Sequence, residues 1–168
     1  IELAKSSKLK LPSNEVSGLQ ELVFKSSYKD LPDYLKGFIY TTSVLQTPEH
    51  LERAACELAE DNIAEGVRYI EVRFAPQLHC RKDFTISQVV KAVCSGLDRA
   101  KNEHNRSAAV KSGEDIPFEF GIIACALRSF NEHMSPYYAQ ILTVMSYAPR
   151  KEGFAQASLE MARAAAEM

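Results

Sequence analysis

The chain has 168 residues, of which 46% are hydrophobic and 25% are charged, and its formal net charge is −2. This composition is typical of an ordinary globular domain and excludes a disordered or fibrous protein. The Lys and Arg residues are scattered through helical stretches, which argues against a nucleic-acid partner or an anionic membrane and leaves a small, nearly neutral ligand compatible.

The cysteine pattern favours a reduced protein. Cys56, Cys80, Cys94 and Cys125 stand far apart, with no C-x-x-C pair. Three of them lie in apolar periodic segments, where a thiol acts as a small hydrophobe, whereas Cys80 lies in a polar loop and is expected to be less constrained. Without a signal peptide or an apolar run long enough to span a bilayer, the expected location is cytoplasmic.

The amino-terminal part of the chain predicts short helices. The chain opens inside a helical stretch, and residues 155–168 end in one without a closing residue, so a piece of a longer protein is expected. Ser13 or Asn14 is expected to cap a short helix over residues 16–23. The next segment is the most periodic, with Pro32 near the helix start. Its apolar residues at helical spacing are Leu31, Tyr34, Leu35, Phe38, Ile39 and Leu45.

Two longer amphipathic helices have clear end signals. Thr47 is followed by a first-turn proline and a first-turn acid, and Gly66 is placed to end that helix. Thr85 and Gln88 form a capping box at the start of the second helix. Between the two helices, residues 67–75 change to a period of two, which predicts a strand with one apolar and one polar face.

A second strand is predicted over residues 118–127, after a polar surface loop over residues 105–115. Strand, helix and strand form a βαβ unit, whose strands should be parallel and whose crossover should be right-handed. Further helices are expected from Ser135 to Tyr147 and at the chain end. Two parallel strands cannot cover their own faces and edges, so strands from outside the chain are expected to complete this α/β structure.

Several stretches resemble the adenosine deaminase family, in order and over almost the whole chain: residues 31–47, 51–79 and 120–128. The most specific is EGVRYIEVRFAPQL, residues 65–78. The resemblance implies that residues 1–168 are part of a single metallo-dependent (β/α)8 barrel (TIM-type) domain, truncated at both ends, with about two of the eight strands present. Active sites of such barrels lie at the carboxyl ends of the strands.

The resemblance also implies the chemistry of the parent protein. A zinc ion held by histidines and an aspartate would activate the water that replaces the amino group of adenosine, or of deoxyadenosine, to give inosine and ammonia. The zinc ligands and the catalytic glutamate would lie outside this chain. Its own histidines, His50, His79, His104 and His133, show no His-x-His or H-x-x-E-H pattern and are expected to be surface residues. The chain alone should therefore neither bind zinc nor deaminate adenosine.

What remains for this chain is a wall of the substrate pocket. By the resemblance, Leu31, Tyr34, Leu35 and Phe38 match a helix that lies over the purine and ribose. Leu78 and Leu127 match apolar residues at two strand ends. The helical spacing alone would favour positions in the hydrophobic core for these residues, because apolar residues at that spacing usually pack inside a protein. Glu71 and Arg73 are interpreted as part of a polar network filling the barrel interior, with a similar role for Arg128.

Three alternatives stay open. The substrate could be an N6-methylated or phosphorylated adenine nucleotide, for which Arg81 and Lys82 could supply phosphate contacts, although solvated loop charges are the simpler interpretation. The parent could be a catalytically inactive barrel that acts only in binding or assembly. It could also be another amidohydrolase-like barrel, which the segment 65–78 argues against. The sequence leaves the oligomeric state open.

Overall fold

The computed structural model describes residues 1–81 and 83–125. In that part of the chain the helices are α1 (Glu2–Ser6), α2 (Val16–Leu22), α3 (Leu31–Leu35), α4 (Gly37–Val44), α5 (Pro48–Ala64), α6 (Ile86–Asn105) and α7 (Ala108–Ser112). The strands are β1 (Tyr69–Phe74) and β2 (Glu119–Ala124), and one turn of 3-10 helix spans Pro76–Leu78. The predicted βαβ unit is thus confirmed.

Strands β1 and β2 are parallel neighbours, in a register that runs from Tyr69 opposite Glu119 to Phe74 opposite Ala124. Partners in a parallel register point to the same face of the sheet. One face packs against the hydrophobic core through Ile70, Val72, Phe74, Phe120, Ile122 and Ala124. The apolar alternation of the first strand therefore decides which face meets the helices.

The opposite face of the sheet is open in the described structure. It carries Tyr69, Glu71 and Arg73 from β1, all exposed. The hydroxyl of Tyr69 donates to Oε1 of Glu71 over 3.1 Å. The alternation predicted for residues 67–75 is confirmed, and the role of Glu71 and Arg73 inside a closed barrel stays a prediction.

Helices α5 and α6 form the core layer behind the sheet. The most deeply buried side chains there include Val89, Val90 and Leu97 of α6 and Ala59 of α5, together with Phe118 just before β2. The two helices approach most closely at Gly96, where an added Cβ would lie 2.1 Å from the carbonyl oxygen of Glu52. A glycine is needed there because no side chain fits between the helices.

The predicted caps of the two long helices are confirmed. The hydroxyl of Thr47 accepts from the backbone N–H of His50, and Gly66 follows the end of α5 with φ +84°. Thr85 and Gln88 form both halves of the capping box. These local interactions satisfy backbone groups that a helix end leaves without partners, so the boundaries of α5 and α6 follow from local sequence.

Two polar ties hold the amino end of the sheet. The guanidinium of Arg68 donates two bonds to the carboxylate of Asp115, of 2.8 and 2.7 Å. The side chain of Asn105 both donates to the carbonyl of Phe118 and accepts from its N–H. These contacts join the start of β1 and the end of α6 to the segment that leads into β2.

Some local expectations were wrong. The cap of α2 is Glu15 without a side-chain bond, because the hydroxyl of Ser13 accepts from the N–H of Glu15 in a preceding turn. The loop expected over residues 105–115 contains α7, capped by Ser107 and ended by Gly113 at φ +80°. The periodic segment from Leu31 forms two helices separated by Lys36.

The second strand is shorter than the predicted 118–127. Leu127, Arg128, His133 and the helices expected after Ser135 lie outside the described residues. Within the described part of the chain, no helix combines the length and the apolar character that crossing a membrane would require.

Candidate substrate pocket

The candidate pocket wall is an apolar stripe on α3 and α4, which we define as Leu31, Tyr34, Leu35 and Phe38. Their exposed fractions are 66%, 44%, 48% and 49%. The rings of Tyr34 and Phe38 meet edge to face with centroids 5.3 Å apart. Four large apolar side chains on one short segment are therefore uncovered by the described residues, which is the condition expected of a surface that meets a ligand or another part of the protein.

Local sequence explains why the stripe is helical. The carboxylate of Asp30 accepts from the N–H of Asp33 over 2.8 Å, and Pro32 occupies the first turn, where its missing N–H costs nothing. Lys36 adds an ion pair to Asp33 at 3.2 Å. Near the junction of α3 and α4, Gly37 is buried, and an added Cβ would lie 3.3 Å from Cγ1 of Val23. The stripe thus rests on the chain segment that follows α2.

The second part of the site is the turn after β1. Pro76 follows the strand and opens the 3-10 turn Pro76–Leu78. Both Pro76 and Gln77 are fully buried. Leu78 is half-buried and packs against the core. Since catalytic groups and ligands of (β/α)8 barrels gather at the carboxyl ends of the strands, this turn lies on the side where a substrate would bind.

Polar side chains connect the end of α4 to this turn. The amide nitrogen Nε2 of Gln46 donates to the carbonyl of Thr42 over 2.7 Å and to that of Leu78 over 2.9 Å. The ring nitrogen Nδ1 of His79 lies 2.8 Å from the carbonyl of Leu45, so it carries the proton and donates. The stripe and the turn that carries Leu78 are thus held together through Gln46 and His79.

The structure locates the sequence-predicted pocket residues as follows. Leu31, Tyr34, Leu35 and Phe38 share one exposed segment, and Leu78 lies at the end of β1, to which Gln46 ties that segment. Leu127 falls outside the described residues. The assignment of these residues to a purine pocket remains a prediction.

The expectation of surface histidines was wrong for His79. Its exposed fraction is 8%, and burial lowers its pKa from the ordinary value, while the bond to the carbonyl of Leu45 opposes that effect. The side chain of His104 is also mostly covered, with Nε2 3.1 Å from the carbonyl of Ile116. His50 is half-buried and has Nδ1 2.7 Å from the carbonyl of Val44. Each of these three rings is held by a backbone carbonyl.

The expectation for Cys80 was also wrong. This thiol is 1% exposed, donates to the carbonyl of Pro76 and has its pKa raised to about 12 by burial. The turn after β1 folds inward in place of forming a solvated loop.

No metal centre forms in the part of the chain that the structure describes. Residues 1–81 and 83–125 contain no group of three or more His, Cys, Asp or Glu side chains able to hold an ion. A zinc site needs three or four such ligands converging on one point.

Sequence reasoning missed Gln46 and His79 as parts of the site. One signal was available for His79, which directly follows the 3-10 turn at the carboxyl end of β1, where barrel sites form. Gln46 carried no such signal, because a glutamine before a helix cap usually lies in solvent.

Comparison with known proteins identifies relatives over most of the chain. The family model described as "Adenosine deaminase" matches residues 1–163. A probable adenosine deaminase of Dictyostelium discoideum is 32% identical over 154 residues, covering 91% of this chain and 18% of that protein. An adenosine deaminase of Clostridium perfringens is 45% identical over 102 residues, covering 60% of this chain and 31% of that protein. The chain thus spans less than a third of the length of these relatives.

The fold has a counterpart among solved structures. Adenine deaminase from Arthrobacter aurescens superposes with a TM-score of 0.56 and 23% identity, over 86% of this chain and 40% of that chain. The two parallel strands and their helices are accordingly part of a (β/α)8 barrel of the metallo-dependent hydrolase type. Together with the match over residues 1–163, this shows that the chain belongs to the adenosine deaminase family.

Proposed function

We propose that the protein carrying this chain hydrolyses adenosine, or deoxyadenosine, to inosine and ammonia, and that the chain supplies one apolar wall of the substrate pocket. In this reaction the oxygen of water bonds to C6 of the purine and the amino group leaves as ammonia. The family membership supports the reaction class. The observation that carries the role of the chain is the apolar stripe, whose four side chains stay exposed at helical spacing.

An apolar wall contributes by binding and by excluding water. The flat faces of a purine bury well against Leu and aromatic side chains, each of which gains roughly 25 cal/mol per Å² of apolar surface removed from water. A dry wall also strengthens the electrostatic interactions that act on the substrate. The described residues would thus lower KM and shield the reacting ring without transferring a proton.

Zinc does not fit the described residues. The three described histidines are each held by a backbone carbonyl, and no cluster of ligands converges among residues 1–81 and 83–125. The zinc that the family resemblance implies would therefore be held elsewhere in the protein. The proposed location is cytoplasmic, since widely spaced cysteines without a C-x-x-C pair are typical of reducing compartments.

The nucleotide alternative gains little support from Arg81. Its Nε forms an ion pair with Asp83 at 3.2 Å, and its backbone pairs with Phe84. A cation already paired within its own turn is less available for a phosphate. Lys82 lies outside the described residues.

Substrate profiling of the whole protein tests the proposal. Adenosine, deoxyadenosine, adenine, AMP and N6-methyl-AMP would be compared by the ultraviolet change on deamination. We expect adenosine and deoxyadenosine to have the highest kcat/KM. Absence of turnover on all five substrates would refute the reaction, and a preference for the 5′-phosphorylated compounds would replace the nucleoside by a nucleotide.

A matched pair of variants tests the role of the stripe. Leu31 and Ile116 are exposed to nearly the same fraction, 66% and 62%, but Ile116 precedes β2, at the end of the sheet opposite to the substrate side. We expect Leu31→Ala to raise KM by about three- to tenfold, the equivalent of roughly 1 kcal/mol of lost apolar contact. Ile116→Ala should leave KM unchanged, and equal effects of the two variants would contradict the pocket assignment.

A further inference from the structure

The end of α4 and the turn after β1 exchange side-chain bonds in a reciprocal arrangement. Gln46 donates to the backbone carbonyl of Leu78, and His79 donates to the backbone carbonyl of Leu45. Leu45 and Gln46 thus give the turn one backbone acceptor and one side-chain donor, and Leu78 and His79 give the same two groups in return. We call this pair of side chains, Gln46 and His79, the clasp.

The clasp is buried and reaches into both elements. Gln46 and His79 are 5% and 8% exposed. Gln46 also donates to the carbonyl of Thr42, in the last turn of α4, so one amide group bonds both α4 and the turn after β1. The ring of His79 lies 6.0 Å from that of Phe74, the last residue of β1. Hydrogen bonds in such a dry place are costly to leave unmade, which makes the arrangement specific.

The position of the clasp matters because the stripe residues themselves do not pack against the buried core cluster of the described residues. The buried core cluster of the described residues begins at Leu51, and Leu45 is the first residue along the chain that packs against it. The stripe residues before it are exposed. The stripe segment therefore meets the core at its carboxyl end, where Leu45 packs, where the carbonyl of Val44 contacts His50, and where the clasp holds Leu45 and Gln46.

We propose that Gln46 and His79 are positioning residues of the substrate pocket, which hold the apolar stripe over the carboxyl end of β1 at the distance that a purine requires. This inference rests on the proposed function for its consequence in catalysis. The structural part of the inference is that Gln46 and His79 anchor residues 31–44. It depends only on their two hydrogen bonds and on their burial. A displaced wall would weaken substrate binding before it affected the reacting groups, because pocket walls act mainly through contact.

The test uses variants of the whole protein that remove one donor each with little change of volume. These are Gln46→Met and His79→Leu, compared with His79→Asn, whose amide nitrogen can occupy the place of Nδ1. The matched control is Asn105→Leu, which breaks a similar side-chain-to-backbone pair at the other end of the sheet. The readouts are KM, kcat, thermal unfolding, and hydrogen exchange of the amides of residues 31–44.

We expect Gln46→Met and His79→Leu to raise KM about tenfold with a smaller change in kcat, as the loss of the one buried hydrogen bond that each variant removes between the two elements corresponds to roughly that factor. Exchange over residues 31–44 should quicken while the strands stay protected. His79→Asn should restore most of the KM. Asn105→Leu should lower the unfolding temperature without moving KM or the exchange of residues 31–44.

The two proposals fail in different ways. If the clasp variants melt early, as Asn105→Leu does, but keep normal KM and normal exchange over residues 31–44, the positioning role is overturned although the deaminase activity stands. If the variants quicken that exchange while the unchanged protein deaminates no adenine compound, the anchor stands and the proposed function is overturned.

Discussion

Helices α5 and α6 bury their apolar faces against each other and against the sheet, whereas α3 and α4 leave theirs exposed. Both regions show apolar residues at helical spacing. That spacing tells which face of a helix is apolar but not what covers it, since core, ligand and another segment all favour the same residues. In α5 and α6 the cover lies within the described chain, and in α3 and α4 it does not.

The largest loss of stability is expected from a substitution in the fully buried core. Phe118 is fully buried in the core cluster, so Phe118→Ala in the whole protein should lower the free energy of unfolding by about 3–5 kcal/mol. Denaturant unfolding measures this loss. A loss below about 1 kcal/mol would mean that the site collapses around the missing ring, and that the core region is as tolerant as the stripe.

A smaller but specific loss is expected at the closest approach of the core helices. Gly96→Ala would place a methyl group 2.1 Å from the carbonyl oxygen of Glu52, so the helices must separate. We expect a loss of about 1–3 kcal/mol, although alanine is the better helix former. Ser95→Ala, on the exposed side of α6, is the control and should be neutral or slightly stabilising. A stabilising Gly96→Ala would refute the tight contact.

Two ion pairs that differ in exposure should differ in how much stability they contribute as the pH changes. Hydrogen bonding to Arg68 lowers the pKa of Asp115 from 3.8 to about 2. A depressed carboxyl pKa contributes stability above the unfolded value, and that contribution is lost as the pH falls from about 3.8 towards about 2. Asp115→Asn should therefore destabilise the protein at neutral pH and flatten its stability profile in that acid range.

A more exposed pair joins Arg53 of α5 to Glu2 of α1, whose side chain is 76% exposed. Arg53 lowers the pKa of Glu2 as well, but exposed pairs are screened by solvent. Glu2→Gln should leave the unfolding temperature and its pH dependence unchanged. Unfolding of the two variants followed across the acid range separates the pairs, and an equal effect of both would contradict the weaker contribution expected of the more exposed pair.

The parts of the fold that sequence predicted well are those with local physical causes. Thr47, the Thr85–Gln88 box and Gly66 fixed the ends of α5 and α6, and the period of two in 67–75 identified β1 together with its buried face. The parallel pairing followed from the helix between the strands.

The rest depended on contacts between distant residues. The turn after β1 bonds through His79 to the segment that ends in Gln46, more than 30 residues earlier, and its Cys80 joins the core cluster of α5 and α6, and no local pattern encodes either meeting. Gly37, next to the break between α3 and α4, is likewise buried close to Val23, which lies 14 residues earlier. The pocket wall was identified by resemblance, since its pattern alone is that of a core helix.

The central claim is that the exposed stripe forms a wall of the substrate pocket. The most direct test is Phe38→Ala in the whole protein, with Phe118→Ala as its buried counterpart. Phe38 is 49% exposed, so its truncation should cost at most about 1.5 kcal/mol of stability, mainly the edge-to-face contact with Tyr34. It should nevertheless raise KM for adenosine severalfold. Thermal unfolding and steady-state kinetics on one preparation measure both. If Phe38→Ala melts as early as Phe118→Ala while its folded fraction keeps normal KM and kcat, Phe38 is a core residue and the stripe is not a pocket wall.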